Sequence, residues 1–181
     1  MLSPIRTMFL HFPLRAWTTV LIMAVISACA YRHLKRKWEE NRITRRQGSV
    51  RWLLANYVLL LLFLTVFGRR SQEGYTVQPE LFDSYKKAFL NCNEKLMWQI
   101  LLNVAAFVPV GFLGSLGQKR LHFPLGLLTG MVLSVFIETM QYVMQNGYCE
   151  ADDLVSNTLG TIFGCLAAAC LKKLTVFCDE K

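Results

Sequence analysis

The sequence is poor in charged residues and in histidine, and it lacks the common catalytic motifs. Only 18% of its 181 residues are charged, whereas about a quarter are charged in a soluble globular domain. No HExxH, GxSxG, P-loop or Rossmann glycine pattern occurs, and the 6 cysteines form no CxxC pair. The 3 histidines lie at the edges of apolar segments. These absences argue against a zinc site, a histidine-based acid–base site and the nucleotide-binding classes, and we expect no metal and no cofactor.

Long apolar runs take the place of charge. Hydrophobic residues make up 54% of the chain, and the mean hydropathy is +0.34. A membrane helix needs roughly 20 mostly apolar residues, and five segments approach or meet that length. Because the runs are continuous rather than alternating, they predict an all-α, polytopic membrane helix bundle of about five transmembrane helices rather than a membrane β-barrel. Their uncharged parts are residues 16–31, 52–68, 96–118, 121–137 and 154–171.

The distribution of basic residues predicts the orientation. Eight of them fall between residues 32 and 51, and basic loops favour the cytoplasmic side of a membrane. We therefore expect the N-terminus outside and the C-terminus in the cytoplasm. Residues 1–51 would form the first transmembrane helix and a basic cytoplasmic loop, and residues 52–181 a membrane domain of four helices. Since topology accounts for the net charge of +8, we expect no nucleic-acid partner.

The first apolar segment also contains possible processing sites. Residues 26–29 resemble a bacterial lipoprotein cleavage box, and residues 28–30 resemble an ordinary signal-cleavage site. Cleavage there would export the basic loop, against the charge rule. We therefore expect an uncleaved helix.

Several polar residues lie within or beside the predicted membrane helices, where each is costly in lipid and calls for a structural or functional reason. Spacings of three or four residues place each group on one helical face. In the expected orientation the groups on four helices lie at the outer side, with Glu138 about 10 Å from the boundary. Glu138 and Asp153 are the candidate catalytic residues. The candidate ligand-binding residues are Arg69, Arg70, Gln99, Asn103, Glu138, Gln141, Asp152, Asp153 and Asn157.

Structural alternatives remain open for these residues. Glu138 would form an ion pair with Arg69 or Arg70, or it would stay protonated and hydrogen-bond to a neighbouring helix. The acidic pair at 152–153 would simply favour a helix N-terminus through the helix dipole. The amides of Asn103 and Asn157 would form ordinary interhelical hydrogen bonds.

Two further features concern packing and covalent structure. Gly160 and Gly164 form a small-xxx-small pattern, which predicts a close helix–helix seam. Cys92 and Cys149 both fall in predicted outer loops, so a disulfide between them is an open alternative. A calcium or magnesium site built only from Glu138, Glu150 and the acidic pair is chemically conceivable, but the spacing does not specify one.

The C-terminal half resembles the VanZ-like family of bacterial membrane proteins. The family pattern is an Asn before a Phe-x-Pro-x-Gly turn, then Glu-x-x-Gln, then an acidic pair followed by Asn, Thr-Leu-Gly and a further Gly. Residues 103–112, 134–141 and 149–164 carry these motifs in that order, and the match covers residues 96–171. One departure is the uncharged segment 145–148, where family members often have a basic residue.

The resemblance implies a multi-pass protein of the bacterial cytoplasmic membrane. The family is named for a member associated with resistance to teicoplanin, a lipoglycopeptide that acts at the outer face of the membrane. We expect the polar residues to bind a membrane-lipid headgroup, a cell-wall precursor or a lipoglycopeptide, as a cell-envelope protein with an antibiotic-resistance-like role. One alternative is a membrane-embedded enzyme acting on lipid-linked substrates, with Glu138 and Asp153 as acid/base or metal-binding groups. A second is a transporter or flippase, and a third is a structural scaffold.

Overall fold

The computed structural model describes residues 14–67, 77–78, 80–118, 122–144 and 149–179. Five of its helices are long and apolar enough to cross a membrane, which confirms the predicted all-α membrane bundle. In chain order the elements are α1 (Leu14–Glu39), α2 (Arg45–Leu62), a π-helical turn (Phe63–Phe67), β1 (Val77–Gln78), α3 (Asp83–Leu90), α4 (Glu94–Leu116), α5 (His122–Met144), β2 (Cys149–Glu150) and α6 (Ala151–Asp179).

The basic segment predicted as a loop over residues 32–51 is mostly helical. Helix α1 continues to Glu39 and α2 begins at Arg45, so that only residues 40–44 form the turn. The charged residues end the apolar run without ending the helix, because Lys, Arg and Glu are good helix formers. The side chain of Thr44 accepts a hydrogen bond from the backbone N–H of Gln47, and the Gln47 side chain accepts one from the backbone N–H of Thr44. This capping box fixes the start of α2.

A second helical element outside the apolar runs is the short helix α3, which lies between the second and third of those runs. Ser84 and Ala88 are buried on one face of this helix, whereas Phe89 and Leu90 are exposed. This helix of eight residues is too short and too charged to cross a membrane. Parallel pairing of β1 with β2 joins the chain before α3 to the chain just before α6.

Helix α6 is the most buried of the five apolar helices. In the apolar stretch of α6, 39% of the residues are buried, whereas none are buried in that of α1. A methyl group on Gly160 would overlap the carbonyl oxygen of Val104, and one on Gly164 would overlap that of Val108. Only glycine therefore permits this approach of α4 to α6, and the predicted glycine seam is confirmed.

Hydrophobic side chains are divided between a small core and a large exposed surface. Leu102, Val132 and Leu174 are each at least 60% exposed, which suits a surface surrounded by lipid rather than water. Between α2 and α4, the Tyr57 hydroxyl donates a 2.9 Å hydrogen bond to the carbonyl of Ala106. The buried core cluster joins α2, the π-helical turn, α4 and α5 through Leu61, Val66, Phe107, Val110, Leu133 and Ile137.

Candidate functional site

Two side-chain hydrogen bonds link α6 to its neighbours near the end of the bundle where α6 begins. The Asn103 amide on α4 donates to the Asp153 carboxylate over 2.6 Å. The Asn157 amide donates to the Ser134 hydroxyl on α5 over 2.9 Å. Asp153 and Asn157 are one helical turn apart, so a single face of α6 contacts both α4 and α5. The structure thus brings together three predicted site residues, Asn103, Asp153 and Asn157.

Gln141 connects α5 to the end of α2. It is 3% exposed, and its Nε2 donates a 3.1 Å hydrogen bond to the carbonyl oxygen of Thr65. Thr65 lies in the π-helical turn that follows α2. The other amide atom, Gln141 Oε1, is buried and accepts no hydrogen bond from the described chain.

The remaining candidate residues have less defined contacts or lie outside the described residues. Glu138 is half-buried on α5, one turn from both Ser134 and Gln141. Gln99 is half-buried on α4, one turn from Asn103 in the direction of the start of that helix. Arg69 and Arg70 lie outside the described residues. We call the set Asn103, Ser134, Glu138, Gln141, Asp153 and Asn157 the polar cluster.

Asp152 has a different role from that of its neighbour. It is 2% exposed, and its carboxylate accepts hydrogen bonds from the backbone N–H groups of Phe82 and Ser84, the latter at 2.8 Å. It thereby caps the start of α3 as well as lying in the first turn of α6. The Glu150 carboxylate accepts a 2.9 Å hydrogen bond from the Ser84 hydroxyl, so two acidic residues hold α3 against the bundle.

Two further contacts involve α3. The hydroxyl groups of Tyr85 and Ser156 share a 2.7 Å hydrogen bond. On the exposed side, the hydrogen bond and negative charge of Asp83 raise the pKa of Lys87 above its ordinary value. Sequence reasoning missed Ser84 and Tyr85. The signal available in the sequence was the four-residue spacing of the small residues Ser84 and Ala88, which places them on one helical face.

The structure also bears on the covalent and metal alternatives. Cys92 is an exposed free cysteine, and the Cys149 side chain lies outside the described part of the structure. Within the ranges that the structure describes, no group of three or more His, Cys, Asp or Glu side chains is arranged to hold a metal ion. Among the acidic residues considered for such a site, Glu150 and Asp152 both bind the start of α3.

The chemistry of the polar cluster is that of directional hydrogen bonding. Amide, hydroxyl and carboxylate groups from α4, α5 and α6 lie within about 15 Å of the corresponding helix ends. Carboxylate and amide oxygens accept hydrogen bonds from hydroxyl, amide and ammonium donors. Since the apolar helix surfaces beside the cluster are exposed, the arrangement places hydrogen-bonding groups next to a lipid-facing surface.

Comparison with models of protein families gives a match over most of the membrane domain. A family model described as VanZ/LLP1 matches residues 52–172, which is more than half of the chain. The matched region includes every residue of the polar cluster and ends near the last apolar turns of α6. Neither the curated proteins nor the solved structures contain a match.

Proposed function

This chain belongs to the VanZ/LLP1 family, and from that premise we propose that its polar cluster binds the polar part of an amphipathic envelope molecule. The ligand class is a lipid headgroup, a lipid-linked cell-wall precursor or a lipoglycopeptide such as teicoplanin. In the predicted orientation the cluster faces the outer side of a bacterial cytoplasmic membrane. Asn103, Glu138, Asp153 and Asn157 would orient the ligand, and Gln141 would accept a hydrogen bond from it.

The observation that carries this proposal is the state of the Gln141 amide. Its Nε2 is bound to the Thr65 carbonyl, while its buried Oε1 accepts no hydrogen bond from the described residues. A buried acceptor left without a donor costs about 1–3 kcal/mol. A ligand hydroxyl, amide or ammonium group would remove that cost on binding.

The backbone next to Gln141 supports the same site. Residues Phe63–Phe67 form a π-helical turn, a rare irregularity that is frequent at functional sites. The Thr65 carbonyl in this turn accepts the hydrogen bond from Gln141 on α5. The chain then leads directly to Arg69 and Arg70, whose guanidinium groups would bind a phosphate or carboxylate of the ligand.

The surroundings of the polar cluster favour an amphipathic ligand. On α5, Val143 is 66% exposed and Val135 is 52% exposed, and on α4 Leu102 is 63% exposed. These apolar surfaces flank the cluster on the outside of the bundle. A ligand with an acyl chain would enter sideways from the bilayer, with its chain on the apolar surface and its polar group at the cluster.

A pair of substitutions on α5 tests this proposal. Gln141→Met removes both polar atoms at similar volume, whereas Thr139→Val removes an exposed hydroxyl that only bonds its own helix at Val135. Binding of three probes would be measured in phosphatidylcholine nanodiscs: teicoplanin, phosphatidylglycerol and a lipid-linked cell-wall precursor. We expect one of these probes to bind the wild type and Thr139→Val, and to bind Gln141→Met about tenfold more weakly. Equal affinities in all three proteins would contradict the proposal.

A further inference from the structure

We propose that an anionic phospholipid binds in the groove between α1 and α2, at the end of the bundle opposite to the polar cluster. Two cavities of about 530 and 380 Å³ lie side by side along these helices. Tyr31 and Trp52 line both cavities, so the two form one continuous groove. This site is independent of the proposed function of the polar cluster and involves different residues.

The larger cavity has the character of an acyl-chain site. Its lining is mainly aliphatic and aromatic, with Val20, Met23 and Leu59 among its residues. From Val20 to Tyr31 the helix rises about 16 Å. Half of a bilayer's hydrocarbon core is about 15 Å thick. The apolar part of the groove is thus long enough for one acyl chain of one leaflet.

The smaller cavity has the character of an anionic headgroup site. Lys35 and Arg45 line it, together with the hydroxyl-bearing Ser49, and neither described lining contains a carboxylate. Lys35 pairs with Glu39 at a long 3.8 Å, and the Arg45 guanidinium lies over the Trp38 ring at 5.3 Å. Lys35 thus keeps only a long ion pair, and Arg45 stacks on an aromatic ring, so both cations lie at the groove.

The local backbone adds to the attraction for an anion. Arg45 is the first residue of α2, and the N-terminus of a helix carries a partial positive charge that favours phosphate groups. Aromatic residues at the level between the cavities, Tyr31 and Trp52, are typical of the membrane–water boundary. Their rings contact each other edge to face at 5.9 Å. The groove thus changes from apolar to cationic at the level where a phospholipid changes from acyl chain to headgroup.

Contacts between the two helices show that the groove has a defined shape. The Ser27 hydroxyl donates to Asn56 Oδ1 over 2.7 Å, and Trp52 Nε1 donates to the Ser27 carbonyl over 3.4 Å. These bonds hold α1 on α2 although none of the apolar stretch of α1 is buried. Lys35 and Arg45 precede residues 52–172, so the headgroup part of the site lies outside the region that the family model matches.

The occupant follows from charge complementarity. In the predicted orientation the basic turn between α1 and α2 is cytoplasmic, and the cytoplasmic leaflet carries anionic lipids that attract Lys and Arg near the surface. A zwitterionic lipid would fit the apolar cavity equally well but would gain less from the two cations. Preference for an anionic over a zwitterionic headgroup is therefore the signature of the site.

Native mass spectrometry of the full chain with equal amounts of phosphatidylglycerol and phosphatidylcholine tests this inference. Lys35→Gln with Arg45→Gln removes two charges from the groove. The control, Arg36→Gln with Arg42→Gln, removes two charges that pair with Glu40 instead. We expect the wild type and the control to retain phosphatidylglycerol preferentially, and the groove variant to bind it about tenfold more weakly.

A steric variant keeps the test decisive if the charge variant folds poorly. Ala24→Phe would fill the apolar cavity that Ala24 lines, whereas Val25→Phe enlarges a side chain that does not line it. We expect retained lipid to fall only for Ala24→Phe. The inference is overturned if the wild type shows no headgroup preference, or if the groove variant and the control variant lower lipid binding equally. It is also overturned if the chain is a dimer that Ala24→Phe dissociates without changing lipid retention.

Discussion

Substitution of Asp152 by asparagine should detach α3 from the bundle without unfolding the rest. The buried Asp152 carboxylate accepts hydrogen bonds from the backbone N–H groups of Phe82 and Ser84. A hydrogen bond to a charged group contributes about 1.5–3 kcal/mol. Asparagine retains one oxygen, so one of the two bonds is lost and its NH2 group faces a backbone N–H.

The loss of one such bond lowers the free energy that holds α3 by about 2 kcal/mol. That is a rise of roughly 30-fold in the local opening constant. Hydrogen exchange reports local opening of this kind. Peptides covering residues 80–92 of Asp152→Asn should therefore exchange roughly 30-fold faster than in the wild type, whereas peptides from α4, α5 and α6 should keep their protection.

The adjacent residue provides a matched control for this experiment. Asp153→Asn makes the same chemical change one residue along the chain, but the Asp153 carboxylate is bound by Asn103 on α4. Exchange of α3 should then remain at the wild-type rate. Equal acceleration in the two variants, or loss of protection throughout the bundle in Asp152→Asn, would refute the role assigned to Asp152.

Three further predictions concern packing, a buried hydrogen bond and orientation. Gly160→Ala should lower the free energy of unfolding by about 1–3 kcal/mol, because the added methyl group would overlap the backbone of α4. Gly48→Ala should not destabilise the protein, because its methyl group has room. Thermal unfolding in detergent checks both variants. Ser134→Ala should cost about 1–3 kcal/mol by leaving the buried Asn157 amide without its acceptor, measured in the same way, and no loss would contradict the 2.9 Å contact. In a variant with Cys92 as its sole cysteine, a membrane-impermeant maleimide should label intact cells, and labelling only after lysis would reverse the predicted orientation.

The membrane helices could be predicted from the sequence because their signal is local. Each helix needs its own run of apolar residues, and residues 96–118 or 154–171 supply that without reference to the rest of the chain. The helix ends could not be predicted as well from the sequence, since α1 continues through its charged residues to Glu39. Hydropathy reports where a helix leaves lipid, whereas helix propensity and the Thr44 cap decide where it stops.

The level of the polar cluster was predictable, but its pairs were not. Helical spacing and alternating direction place Asn103, Glu138 and Asp153 near the same end of the bundle. That Asn103 binds Asp153, and that Asn157 binds Ser134, depends on which helix lies beside which, and no local pattern encodes this. The position of Gly160 hinted at one neighbour, because small residues mark close helix contacts.

The position of α3 shows a different limit. Its eight residues have too few apolar positions to stand out from a loop, and their helix is held in place by distant groups. Asp152 and Ser156 contact it although they are about 70 residues further along the chain. An acidic pair at a helix start predicts only a favourable dipole interaction, so the separate roles of Asp152 and Asp153 needed the tertiary structure.

The central claim is that the polar cluster recognises a ligand in addition to forming contacts between helices. The most direct test is a binding assay in phosphatidylcholine nanodiscs. Three probes would be used: teicoplanin, phosphatidylglycerol and a lipid-linked cell-wall precursor. Their binding would be compared among the wild type, Glu138→Gln and Asp153→Asn. The account predicts that one probe binds the wild type and binds both variants about tenfold more weakly, with unfolding temperatures unchanged. Absence of binding to the wild type, together with lower unfolding temperatures in both variants, would show that the cluster is structural and contradict the account.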